Sequence, residues 1–229
     1  MNIVLFGPPG AGKGTQSDYI SKKYNLHKIS TGDLLREEAK NKNEFGLKIK
    51  SRIDKGLLVS DDIIDKLVMQ IASNKLYSNR LIFDGYPRTL SQAKNLNNLF
   101  KEYNQKIDFV FSLKVEENII IKRILGRLTC AKCGLIFNEF FNMPTDKNHK
   151  CGSNFLKKRV DDNEEILRDR FKTYNEQTAL ILEYYKSQNL FVEIDGMLEI
   201  EQIHGKIREI IHSWSLDFGR SIYINSFFR

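Results

Sequence analysis

Residues 7–15 read Gly7-Pro8-Pro9-Gly10-Ala11-Gly12-Lys13-Gly14-Thr15. A short apolar run, Asn2 to Phe6, precedes them, and Lys13 to Tyr24 has helical character. The run's length and its Gly/Pro border predict a buried strand. A glycine-rich turn between strand and helix is a phosphate cradle. Glycines let successive N–H groups curl around an anion, and the helix that follows points its positive end at the same place. Lys13 adds a mobile charge for outer phosphates. The spacing departs in one detail from the general pattern GxxxxGK[ST]: Gly14 follows the lysine, and the hydroxyl comes one position later, at Thr15. A purely structural Gly/Pro turn would not require the lysine or the strand–loop–helix setting.

Outward from this loop, strand-like and helix-like segments alternate. Arg80 to Asp84, Ile107 to Leu113 and Leu190 to Ile194 are further strand candidates. Ser60 to Ala72 places Ile63, Ile64, Leu67, Val68 and Ile71 on one face of a 3.6-residue period. Thr89-x-x-Gln92 and Asp161-x-x-Glu164 match helix-capping patterns. The alternation predicts an α/β fold, a doubly wound, mostly parallel sheet. Two stretches interrupt it. Thr31 to Val59 holds only short helix-like pieces around Leu34 and Ile49, and Arg127 to Val160 holds all three cysteines. Both read as insertions into one core.

Composition narrows the function. With 229 residues, 41% hydrophobic and 28% charged, the chain is neither a disordered tail nor a membrane bundle. No apolar run approaches the roughly 18–20 residues of a span, so no membrane is expected. The N-terminus lacks the basic region of a signal peptide, and an odd number of cysteines argues against a secreted disulfide framework. A cytoplasmic protein is expected. The net charge of +7 leaves two classes: a binder of nucleic acid, or an enzyme for small anionic substrates.

At this level of detail the chain resembles the adenylate kinases. GPPGAGKGTQ (7–16), STGDLLR (30–36), FDGYPRT (83–89), KRILGRL (122–128) and KRVDDNEE (158–165) occur in that family's order and spacing. The resemblance covers roughly residues 1–213. It implies phosphoryl transfer from ATP to AMP with Mg²⁺, giving two ADP, by a P-loop core with two mobile insertions. The core would comprise 1–29, 60–126 and 161–213, with a monophosphate-binding insertion at 30–59 and a lid at 127–160. The resemblance also implies site residues. Lys13, Arg88, Arg123, Arg159 and Arg170 would be catalytic. ATP would meet Gly10, Ala11, Gly12, Lys13, Gly14, Thr15, Arg127, Ile136, Phe137 and Leu198. AMP would meet Thr31, Arg36, Leu57, Leu58, Val59, Gly85, Tyr86, Pro87, Arg88, Gln92, Arg159 and Arg170. Asp84, at a strand end, would organise Mg²⁺ and its waters. Gln92 carries a donor and an acceptor, as an adenine edge requires.

Cys130-x-x-Cys133-Gly134 looks like half a zinc knuckle, and zinc normally takes four such ligands. The second pair is incomplete: Cys151 has Asn148 three residues before it. His149 can substitute, giving Cys130, Cys133, His149 and Cys151 as a Cys₃His site for structural Zn²⁺. The competing expectation is a metal-free lid with relic cysteines. Residues 214–229 extend beyond the resembling pattern and read as a disordered or loosely packed extension. The expected partners are ATP, AMP and ADP, with a monomer and no nucleic acid. A kinase using GTP or another monophosphate, and a basic zinc-knuckle nucleic-acid binder, are the alternatives.

Overall fold

The structure is a computed structural model and describes residues 1–55, 57–159 and 161–217. A five-stranded sheet forms its centre, with order β2-β3-β1-β4-β8 and every pairing parallel. The strands are β1 (Ile3–Phe6), β2 (His27–Ser30), β3 (Leu81–Asp84), β4 (Phe109–Lys114) and β8 (Phe191–Asp195). Each parallel step requires a crossover, and helices supply it. The chain runs outward from β1 to β2 and back to β3. It then crosses to β4 on the other side of β1, so the switch point lies at the C-terminal end of β1, where such sheets bind ligands.

Both faces of the sheet are covered, which is why β1 reads as an unbroken apolar run. Its side chains alternate between two cores. Val4 and Phe6 join Ile29, Phe83 and Val110 beneath α4 (Asp61–Ala72), α5 (Leu90–Glu102) and α7 (Glu164–Lys186). Ile3 and Leu5 join Ile82, Phe109 and Phe111 against Ile20 of α1 (Lys13–Tyr24) and Ile203, Ile207 and Ile211 of α8 (Ile200–Asp217). The two helix-like pieces of the first insertion are α2 (Thr31–Glu38) and α3 (Glu44–Asp54). Ser30 and Asn43 cap them, accepting from the N–H groups of Asp33 and Gly46. After α6 (Glu117–Leu125) a separate antiparallel sheet forms, with order β6-β5-β7: β5 (Arg127–Cys130), β6 (Ile136–Asn138) and β7 (Leu156–Lys157).

The structure departs from the sequence reading at three places. Strand β2 was not anticipated, because only Ile29 of His27-Lys28-Ile29-Ser30 is buried and the pattern carries no apolar run. Asp161 does not cap the helix after it. Asn163 does, accepting from Ile166 N–H at 3.0 Å, while Asp161 takes the guanidinium of Arg170 at 2.8 Å. The expected loose extension begins as ordered helix: α8 runs to Asp217, and Trp214 packs edge-on against Phe109 with ring centroids 5.1 Å apart. The rest of that extension, residues 218–229, lies outside the described residues. Among the described residues no helix is long and apolar enough to cross a membrane.

The Trp214 contact has a measurable weight. Lys106 sits over the indole at 5.7 Å, so the ring gains a cation as well as an aromatic neighbour. Trp214→Ala is expected to cost about 1–3 kcal/mol and to lower Tm by roughly 3–8 °C. A melting curve unchanged within 1 °C (on the order of a few tenths of a kcal/mol) would show that the helix end contributes nothing.

Candidate active site

The glycine loop closes the C-terminal end of β1 onto α1. Gly10 and Gly12 hold φ of 81° and 95°, a region side chains rarely enter. At Gly10 space forbids a side chain as well, since an added Cβ would stand 2.7 Å from Ile124. Gly12 occupies the N-cap of α1 without a side-chain cap, and no acidic residue lies in the first turn. The first N–H groups of the helix are therefore left for an anion. Lys13 Nζ folds back on the loop, donating to the carbonyls of Gly7 (2.6 Å) and Pro8 (3.0 Å). Burial lowers its pKa to about 8; Asp84 works against that shift, while Arg88, Arg170 and Arg127 add to it.

A cavity of about 500 Å³ opens above the loop. Eight cationic side chains line it against three carboxylates. The cations are Lys13, Lys28, Arg36, Arg88, Arg123, Arg127, Arg159 and Arg170; the acids are Asp33, Asp84 and Glu199. Burial lowers Arg88 and Arg159 to about 10 each, and their guanidinium neighbours push the same way: Arg170 and Arg36 on Arg88, Arg127 and Arg36 on Arg159. Burial also lowers Arg123 and Arg170. So much like charge in one partly dry space is costly unless an anion relieves it. Three aspartates provide part of that relief. Arg36 donates to Asp33, Arg127 Nε donates to Asp162 at 2.7 Å, and Arg170 pairs with Asp161. Burial alone would raise the Asp33 carboxyl, but Arg36 outweighs it and holds it below its ordinary value.

Most of the residues expected at the site meet in this cavity. Gly10 to Thr15, Arg36, Asp84, Gly85, Arg88, Arg123, Arg127, Ile136, Phe137, Arg159, Arg170 and Leu198 all line it. Leu58 and Pro87 line a smaller adjoining cavity with Lys13, Arg88 and Arg170. Thr31, Leu57, Val59, Tyr86 and Gln92 line neither. Thr31 Oγ1 donates to Gly85 O at 2.7 Å, Leu57 is exposed, and Val59, Tyr86 and Gln92 are buried. The Gln92 side chain reaches the backbone N–H of Arg88 rather than that of the helix cap Thr89, as a standard capping box would require.

Lys28, Asp33 and Asp162 were not singled out in the sequence reading. Asp33 and Asp162 stood inside quoted motifs, and an acid two or three residues from a motif arginine was a usable signal. Lys28 had none, because strand β2 was itself unseen. Its ammonium lies 2.7 Å from Asp18 and 3.8 Å from Asp84.

Asp84 lines the cavity near Gly14 and accepts from Ser17 Oγ at 3.4 Å. With Thr15 it supplies the hard oxygen donors that suit Mg²⁺, an ion that keeps most of its waters and binds chiefly through phosphates. In the second sheet the ligating atoms of Cys130, Cys133, His149 and Cys151 all lie within 4.8 Å of one another. Asn148 is absent from this group; it accepts from Thr145 N–H and closes a local turn. Among the described residues His149 Nε2 is buried without a hydrogen-bond partner, an orphaned donor atom that fits a metal ligand. Burial raises the Cys130 thiol, but N–H groups of Cys133 and Lys132 and the His149 ring outweigh it and bring it to about 6. The His149 ring also packs edge-on against Phe137, 5.0 Å between centroids, so this cluster adjoins the cavity wall.

The adenylate kinase family model matches residues 5–190. The adenylate kinase of Pelagibacter ubique (strain HTCC1062) is 50% identical over 211 residues, covering 92% of this chain and 99% of that one. The adenylate kinase of Enterococcus faecalis (strain ATCC 700802 / V583) is 40% identical over 213 residues, 92% of this chain and 99% of that one. That of Archaeoglobus fulgidus (strain ATCC 49558 / DSM 4304 / JCM 9628 / NBRC 100126 / VC-16) is 39% identical over 213 residues, 92% and 98% of the two chains. Matching over nearly their whole length, and carrying a phosphate loop under a canopy of arginines, the chain belongs to the adenylate kinase family.

Proposed function

We propose that the family's reaction, reversible phosphoryl transfer from ATP to AMP giving two ADP, takes place in the cation-lined cavity above residues 10–15. The observation that carries this reading is the excess of eight cations over three acids in one cavity at the switch point of the sheet. Phosphoryl transfer asks little covalent chemistry of a protein. It needs two nucleotides held in line, charge neutralised and water excluded. The loop N–H groups, Lys13 and Arg127 would hold the triphosphate. Arg36 and Arg88 would hold the monophosphate, and Arg123, Arg159 and Arg170 the charge on the group in transit. Mg²⁺ beside Asp84 and Thr15 would neutralise phosphate charge when MgATP binds. Ile136, Phe137 and Leu198 would flank the donor base. Thr31, Leu57 to Val59, Gly85 to Pro87 and Gln92 would surround the acceptor.

The segments 30–59 and 127–160 would act as the moving parts over a core of 1–29, 60–126 and 161–213. Like-charged guanidinium groups would hold the segments apart, and bound phosphates would draw them together. Reopening is then the natural slow step. The lid would carry Zn²⁺ on Cys130, Cys133, His149 and Cys151. Free thiols gathered this closely suit the reducing cytoplasm, where the protein would act as a monomer. Neither the family match nor the arrangement of arginines favours a nucleic-acid binder.

The direct test is a donor and acceptor panel. With Mg²⁺, the purified protein is expected to turn ATP plus AMP into ADP with the highest kcat/KM of the panel. Preference for GTP as donor, or for another monophosphate as acceptor, would replace the substrate assignment. Absence of ADP formation would refute the reading.

A further inference from the structure

Gln92 is 1% exposed, and its side-chain amide is held at both ends. Oε1 accepts from the Arg88 backbone N–H at 2.7 Å, and Nε2 donates to Asp61 Oδ1 at 2.7 Å. The other oxygen of Asp61 accepts from Thr89 Oγ1 at 2.7 Å, and that hydroxyl accepts from Gln92 N–H at 3.2 Å. A carboxylate, a hydroxyl and an amide thus close a ring between the first turns of α4 and α5.

This ring decides which way the amide faces. The two ends of a glutamine amide are nearly the same size, so a free one can turn over to suit its ligand. Here the neighbours tell the ends apart. A backbone N–H can only donate, and a carboxylate can only accept. Turned over, the amide would set its oxygen against Asp61 and its NH₂ against the Arg88 N–H. Two hydrogen bonds, one of them charge-assisted, would be lost to two repulsions. In the observed orientation each end makes one hydrogen bond among the described residues and has a second valence to offer: the second lone pair of Oε1 and the second hydrogen of Nε2.

We infer that Asp61 is a positioning residue for acceptor-base selection: with the Arg88 N–H, and as the charged one of the two, it fixes the order of acceptor and donor on Gln92, suiting the site to a 6-aminopurine and turning it against a 6-oxopurine. The inference rests on the proposed placement of the monophosphate base at Gln92. Adenine shows a 6-amino donor beside the N1 acceptor, the complement of an amide whose order is fixed as found. Hypoxanthine and guanine show an O6 acceptor beside an N1–H donor, the reverse order. A mobile amide would serve both. A locked one leaves a mismatched base facing like groups, the condition under which hydrogen-bonding sites discriminate strongly.

The test compares kcat/KM for AMP and IMP at saturating ATP in the wild type, Asp61→Asn and Gln92→Ala. Asparagine can offer either end of its own amide, so only the Arg88 N–H is left to order Gln92, and the bias against turning over falls from two contacts, one of them charge-assisted, to one neutral hydrogen bond. In Asp61→Asn the AMP to IMP ratio is expected to fall by about tenfold or more. The loss should lie in the KM for AMP rather than in kcat, with the KM for ATP unmoved. A role in stabilising α4 alone would shift both acceptors equally. If Gln92→Ala leaves the AMP KM and the ratio unchanged, the base is not at Gln92 and the pocket reading itself fails. If Gln92→Ala lowers the ratio while Asp61→Asn preserves it, the pocket stands and the inference about Asp61 is overturned. A measurement on the wild type needs no variant to fold. The Gln92 Nε2 protons are expected to be protected from exchange, with one shifted downfield by the carboxylate. Unshifted, freely exchanging protons would also overturn the inference.

Discussion

Lys13→Ala is expected to lower kcat by roughly 10²–10³-fold, the scale of removing one preorganised charge contact from a transition state. The reason is its position. The ammonium hangs over the loop on two backbone carbonyls, those of Gly7 and Pro8, and a short swing would carry it to a phosphate. Stability should not suffer in proportion, since the charge is disfavoured where it lies and its pKa is already down to about 8. The sign of the pH dependence follows. Between about 8 and the ordinary 10.5, the unfolded chain holds a proton that the folded chain has released. Through this group, folding stability rises with pH across that window. A bound triphosphate does the opposite and favours the charged ammonium. Near pH 9 nucleotide binding should therefore take up a proton, and near pH 6.5 it should not. Calorimetry in two buffers of different ionisation enthalpy reads this directly. The uptake should vanish in Lys13→Ala. Near-normal turnover in that variant, or uptake that persists without Lys13, would remove the lysine from the site.

Removing zinc from the proposed site at residues 130–151 should have the second large effect. Purified from zinc-replete cells, the protein is expected to carry about one Zn²⁺ per chain, the stoichiometry of a single four-ligand site. Cys130→Ser should abolish it and lower Tm by on the order of 5–10 °C. The lid has little else to hold it. Among its described residues only Cys130, Phe137 and His149 are buried. A core this small does not stabilise a fold on its own, and a metal compensates for the missing apolar area. Because His149 rests on Phe137, loss of the metal should also raise the KM for ATP. A zinc content near zero from metal-replete expression would overturn the site and leave the cysteines as relics.

How far the sequence reached depends on how local each signal was. The phosphate loop was legible because glycine spacing, lysine and helix start are neighbours in the chain, and the backbone at Gly10 and Gly12 obeys the same constraint. The helix over residues 61–72 was legible from its apolar period. Strand β2 was not, since Lys28 and Ser30 line the cavity, His27 stacks on Tyr77, and only Ile29 enters the core. The Asp161 reading failed for a related reason. A capping pattern states only what a side chain can do locally, and an arginine nine residues further on, Arg170 of α7, took the carboxylate first. Asn163, two residues on, was then free to cap. The Trp214 contact joins residues 105 positions apart and had no local signature.

The sequence by itself determined the strand–loop–helix phosphate cradle, the alternation that requires a parallel sheet, the family, and the set of arginines at the site. Those follow from short-range rules: which residues tolerate left-handed backbone, which period buries a face, which side chains carry charge. The tertiary structure alone decided which acid meets which arginine, and it gathered the four residues Cys130, Cys133, His149 and Cys151 that the sequence could only propose. It also decided that Asp61 grips the amide of Gln92. Each depends on distances between segments far apart in the chain, set by how helices pack on the two faces of one sheet. Short-range patterns propose several partners for a charged or polar group, and packing leaves room for one.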